Sequence, residues 1–86
     1  MITISFKASF VREFNKLEKN LSDEVLSKMD LFKNPKNHTT LKVHKLHGPM
    51  KNMWSFSVNY KTRIVFNYAS KKEAVFLAIG DHDIYN

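Results

Sequence analysis

The sequence predicts an α+β domain, a small antiparallel β-sheet with an N-terminal helical hairpin packed on one face. Three observations lead there. Residues 41–85 break into runs that alternate or turn continuously apolar between turn signals, as the strands of a sheet do. Residues 9–34 carry their apolar side chains at helical spacing instead. The chain has 86 residues, enough for one domain that buries roughly 60–65% of its unfolded surface.

Ile2, Ile4 and Phe6 alternate with Thr3, Ser5 and Lys7, so a short strand opens the chain. Ser9 is placed to cap a first helix, with Phe10, Val11, Phe14, Leu17 and Leu21 on one face and Arg12, Glu13, Lys16 and Lys19 outside. Ser22 is placed to cap a second helix. Asp23 and Glu24 then fall in its first turn, where the dipole favours negative charge, and Val25, Leu26, Met29 and Phe32 form its stripe. Asn34-Pro35 ends it, because the residue before proline resists helical geometry. His38 sits in a polar connector and reads as solvated. Leu41, Val43 and Leu46 begin the sheet, and Gly48-Pro49 turns the chain. Trp54, Phe56, Val58 and Tyr60 read as one face of a strand, and Tyr60-Lys61 as the following turn. Ile64, Phe66 and Tyr68 alternate next, and residues 74–79 are apolar on both faces, as in a central strand.

Composition narrows the function classes. There is no cysteine, hence no disulfide framework and no thiolate metal site. No apolar run approaches the roughly 20 residues of a membrane span, and no signal-peptide pattern opens the chain, so the expectation is a cytoplasmic protein without a membrane partner. Net charge is +6. Residues 1–40 hold seven Lys/Arg against five Asp/Glu (+2), and residues 41–86 hold seven against three (+4). Excess positive charge on the sheet-forming half points to a polyanion, most simply nucleic acid.

Strand parity locates the candidate site. If Trp54, Phe56, Val58, Ile64, Phe66 and Tyr68 pack on the helices, Ser55, Ser57 and Arg63 project from the other face. That second face is polar, cationic and lightly covered. His44 and His47 join it from one edge, and Asp81, His82, Asp83 and Tyr85 from the end of the last strand. The planar fork of an arginine suits a phosphate, although an ion pair with Asp81 or Asp83 suits Arg63 equally. Lys42, Lys45, Lys51 and Lys61 are placed to follow a phosphate backbone or to be plain surface. His44 and His47 face opposite sides of an extended strand, so a shared metal requires a loop there, and no metal or other cofactor is expected.

The blocks HKLHG, WSFSV, TRIVF and IGDHDIY, with the N-terminal strand and helices before them, resemble the RelE/ParE toxin superfamily of type II toxin–antitoxin modules. The resemblance spans essentially the whole chain as one domain, and its ending is closest to the ribonuclease members of RelE, YafQ and YoeB type. It implies an endoribonuclease that cuts mRNA, generally on the ribosome, by attack of the ribose 2′-OH and without a metal. It also implies an antitoxin as protein partner, expected to be acidic and to fold on binding. Carried over by position, Arg63 matches the phosphate-binding arginine of its strand. His82 matches the histidine (arginine in RelE) that protonates the leaving oxygen, Tyr85 the C-terminal tyrosine that orients or stacks on substrate, and His44 a histidine before the L-x-G turn of YafQ-like members. Ser55 and Ser57 depart from the pattern, since the corresponding positions hold lysines in RelE-like members and Asp and His in YafQ-like ones. A serine hydroxyl is neither a base nor a cation near neutrality. A base then has to come from His44 or His47, an imidazole being suited to that work. The same departure keeps a second reading open: a non-catalytic, ParE-like toxin acting on a protein such as gyrase, or a degenerate member that only binds antitoxin.

Overall fold

The computed structural model describes residues 1–50 and 52–81. The elements run β1 (Thr3–Phe6), α1 (Ala8–Asn15), α2 (Lys19–Phe32), β2 (His44–Lys45), β3 (Trp54–Ser57), β4 (Arg63–Ser70) and β5 (Glu73–Gly80). The strands form one sheet in the order β1-β5-β4-β3-β2. Three of its pairings are antiparallel, and β1 runs parallel to β5. The sheet is therefore mixed rather than wholly antiparallel. Alternation marks Ile2–Phe6 as a strand but carries no sign of its direction against a partner some 70 residues away, with Ile4 opposite Ala74.

Both helices pack on the same face. Phe32, at the end of α2, lies fully buried at the centre of the core. Its ring stacks on Phe56 at 4.8 Å and meets Phe66 and Phe76 edge-on at 4.9 and 5.3 Å. Phe10 of α1 reaches the same Phe76 at 5.5 Å. Phe56, Ile64, Phe66 and Phe76 are each 0% exposed, so one face of β3, β4 and β5 is closed by aromatic packing.

The helix starts differ from the sequence expectation. Lys7 is the N-cap of α1 and Glu18 that of α2, neither with a capping side chain. Ser9 lies inside α1, and its hydroxyl donates to the Leu77 carbonyl of β5 at 2.7 Å, pinning the helix to the sheet. Ser22 lies inside α2, donating back to the Lys19 carbonyl at 2.9 Å. Nothing between Leu17 and Ser22 obstructs helical geometry, so α2 starts three residues before Ser22 and no acidic residue occupies its first turn. Leu17 and Leu21 consequently belong to the inter-helix turn and α2, though both still pack on the core. Val11 and Leu26, expected in the core, are 42% and 52% exposed.

Asn34 caps a short 3-10 turn over Pro35–Asn37, its side chain accepting from the Lys36 amide. Gly48 takes φ +69° where the chain turns over Gly48–Met50, a conformation glycine adopts without steric cost. Among the described residues no helix is long and apolar enough to cross a membrane.

Candidate active site on the open face of the sheet

Residues directly opposite each other on paired strands share a face. His44 lies opposite Ser55, Ser55 opposite Val65, and Val65 opposite Ala78. The next row on that face is Ser57, Arg63 and Gly80. Phe56 and Ile64, opposite each other between these rows, point into the core. Ser55, Ser57, Arg63 and His44 thus lie on the face away from the helices, as strand parity requires. Gly80 contributes no side chain to that row. His44 and Arg63 stand two strands and two residues apart, about 12 Å between Cα atoms at standard sheet spacing.

The centre of this face is less bare than expected. Ser55 is 0% and Val65 2% exposed. A hydroxyl so buried does not present itself to a polyanion, which goes against the RNA contact expected of Ser55; Ser57 is half-exposed. Lys45 lies opposite Trp54, in the row that faces the helices, and not beside His44. Lys42, Lys61 and His47 are exposed, Lys42 with φ 60°. Lys51, His82, Asp83 and Tyr85 lie outside the described residues, and with them the resemblance's general acid and stacking tyrosine.

His44 is exposed, and its Nδ1 lies 2.8 Å from the Lys42 carbonyl oxygen. A carbonyl only accepts, so Nδ1 carries the hydrogen and the neutral ring bears its lone pair on Nε2. That is the form a general base needs. Arg63 is half-buried, and its Nη1 donates to the carbonyls of Asn59 at 2.6 Å and Thr62 at 3.3 Å. Both bonds use Nη1. Neither uses the Nε–Nη2 edge, the two-donor fork that matches phosphate oxygens. Among the described residues no group of three His, Asp or Glu side chains could hold a metal ion.

This architecture has known counterparts. The structure matches YafQ from E. coli strain BL21(DE3) at TM-score 0.78 and 15% identity, covering 99% of this chain and 98% of that one. It matches the toxin–antitoxin complex RelBE2 from Mycobacterium tuberculosis at TM-score 0.75 and 15% identity, over 94% and 98% of the two chains. The YoeB–YefM complex from Staphylococcus aureus matches at 0.73 and 13%, over 95% and 98%. The chain has the fold of the RelE/ParE toxins. No protein-family model matches the sequence, and no curated protein matches it significantly. At such identities the fold is what is shared.

Three residues of this RelE-like fold escaped the sequence reading. His38 is not solvated: Nε2 donates to the Phe32 carbonyl at 2.8 Å, and the ring stacks on Phe32 at 4.7 Å, closing the C-terminus of α2. Tyr60, read both as the end of the Trp54–Val58 strand face and as part of the turn, belongs to the turn alone and is 91% exposed at the tip of the β3–β4 connection. Strand alternation stops at Asn59, whose side-chain oxygen accepts from the Lys61 and Thr62 amides at 2.9 and 2.8 Å. An asparagine at the end of a strand run is the signal that would have placed the turn one residue earlier.

Proposed function

We propose that this protein is the toxin of a type II toxin–antitoxin module and acts as a metal-independent endoribonuclease on translated mRNA. The reading is carried by one arrangement: a RelE-like fold over nearly the whole chain, with Arg63 on the sheet face away from the helices and His44 in the adjoining row of the same face. In the proposed reaction His44 Nε2 takes the ribose 2′-OH proton, and the 2′ oxygen attacks the adjacent phosphorus. Arg63 stabilises the charge developing on the phosphorane oxygens. His82 protonates the departing 5′ oxygen, leaving a 2′,3′-cyclic phosphate and a 5′-hydroxyl. His47 is the alternative base, and Tyr85 orients or stacks on the substrate. Lys42, Lys51, Lys61 and Ser57 lie along the RNA, supported by the net charge of +6.

The proposed partners are the translating ribosome with its mRNA and an acidic antitoxin. Val11, Leu26 and Phe6, each 42–52% exposed around a groove between α1 and α2, offer that antitoxin apolar ground beside a basic surface. The serines at positions 55 and 57 favour a second reading, a toxin with a protein target and no nuclease step. Mapping cellular RNA 5′ ends after induction separates the two: new 5′-hydroxyl ends within coding sequences support the nuclease, and arrested growth with intact mRNA supports the rival.

A further inference from the structure

The β3–β4 turn is built around one residue. Asn59 Oδ1 accepts from the Lys61 and Thr62 amides. Its own amide donates to the Thr62 carbonyl at 3.4 Å, and its carbonyl accepts from Arg63 Nη1 at 2.6 Å. Its remaining polar atom, Nδ2, reaches out of the turn and donates to Glu24 Oε1 of α2 at 2.8 Å. Every polar atom of Asn59 is engaged, and the side-chain pair of roles, accepting from the turn amides through Oδ1 while donating to Glu24 through Nδ2, needs asparagine in particular. Aspartate would accept from the turn amides but bring a second carboxylate against Glu24. Serine is too short to span both partners.

A hairpin turn closes without a tether to a helix 35 residues earlier in the chain. The Glu24 bond therefore does something besides forming the turn: it fixes the turn relative to α2. What rides on the turn is the carbonyl that holds Arg63. We propose that Glu24 and Asn59 are positioning residues, a brace from α2 that holds Nη1 of Arg63 so that its Nε–Nη2 edge is presented in a fixed plane to an RNA phosphate. The substrate half of this inference rests on the ribonuclease reading; the brace itself does not. A planar donor fork held before the substrate arrives loses less conformational freedom on binding and meets the phosphorane in the right plane.

The test uses the full-length protein and reads Arg63 directly. Nitrogen relaxation of the Arg63 Nε–H group in the free protein is expected to report an ordered side chain in wild type. Glu24→Ala and Asn59→Ala are expected to release it, while Glu24→Gln, which keeps a carbonyl acceptor, retains the order. In cleavage assays Glu24→Ala and Asn59→Ala are expected to lower kcat by about ten- to a hundredfold, with KM little changed, the scale of a small misplacement of a reacting group. In an Arg63→Ala background, Glu24→Ala is expected to lower it no further. An Arg63 Nε–H equally ordered in all variants would overturn the brace. So would a Glu24→Ala loss of equal size with and without Arg63. If wild-type protein cuts no RNA, the ribonuclease reading falls, and the relaxation measurement still decides the brace.

Discussion

Replacing Phe32 by alanine is the sharpest perturbation of the fold. The ring is 0% exposed and lies within 4.7–5.3 Å of His38, Phe56, Phe66 and Phe76, measured between ring centroids. Deleting a buried phenylalanine ring costs about 3–5 kcal/mol in transfer and cavity terms. Four ring partners, two stacked and two edge-on, argue for the upper half, since those side chains cannot all collapse into one hole. At about 0.05–0.15 kcal/mol per residue the whole 86-residue domain is stable by roughly 4–13 kcal/mol. Phe32→Ala therefore removes a third or more of that stability, and loosens α2 together with the Glu24 brace it carries. Tyr60→Ala, at 91% exposure, is the control and should stay within about 0.5 kcal/mol of wild type. Urea unfolding followed by circular dichroism measures both. A Phe32→Ala loss below about 1.5 kcal/mol, well under the buried-aromatic range, would refute the central role given to this ring.

His38→Ala should cost about 1 kcal/mol, from a lost hydrogen bond and a lost ring contact, in the same urea assay; a neutral result would return His38 to the solvated role its sequence context suggested. Burial raises the Tyr68 phenol above its ordinary value of 10.0. The unfolded chain therefore releases this proton first, so the contribution is complete below pH 10 and is lost as pH rises through the higher folded value. Wild type should accordingly lose more stability between pH 7 and 11 than Tyr68→Phe does, and equal losses would contradict the burial argument. In cleavage assays His44→Ala and His47→Ala should differ from each other, because only His44 shares the row of Ser55; the larger loss is expected at His44, and identical losses would remove the assignment of the base.

The sheet was legible because its faces differ so strongly. Phe56, Ile64 and Phe66 alternate with Ser55, Ser57 and Arg63, and only one register buries the aromatic set. That alternation also located Arg63 on the open face. It did not reveal the parallel β1–β5 pairing, because hydrophobic period carries no strand direction. The helix starts were misplaced for a related reason: Ser9 and Ser22 look like caps, but Ser9 spends its hydroxyl on Leu77 of a distant strand. The same holds at the site. The bond from Asn59 to Glu24 crosses 35 residues, and the 0% exposure of Ser55 goes against the polar alternation of its strand. Neither has a local signature. His38 was misread because its two partners, the carbonyl and the ring of Phe32, become neighbours only once α2 ends and the chain folds back.

The central claim is that a 2′-OH on the RNA is the nucleophile and Arg63 stabilises what it forms. Purified protein should be incubated with ribosomes translating a defined mRNA, and with the same message carrying a single 2′-deoxy nucleotide at the cleaved position. The account predicts cleavage of the first to a 2′,3′-cyclic phosphate and a 5′-hydroxyl, and an intact second message. Arg63→Ala should be slower by about 10²–10³-fold, the scale of removing one preorganised donor to a developing anion. Cleavage of the deoxy message at the same rate would contradict the mechanism. Intact mRNA in both, with growth arrest on expression that survives Arg63→Ala, would replace the nuclease with a protein-directed toxin.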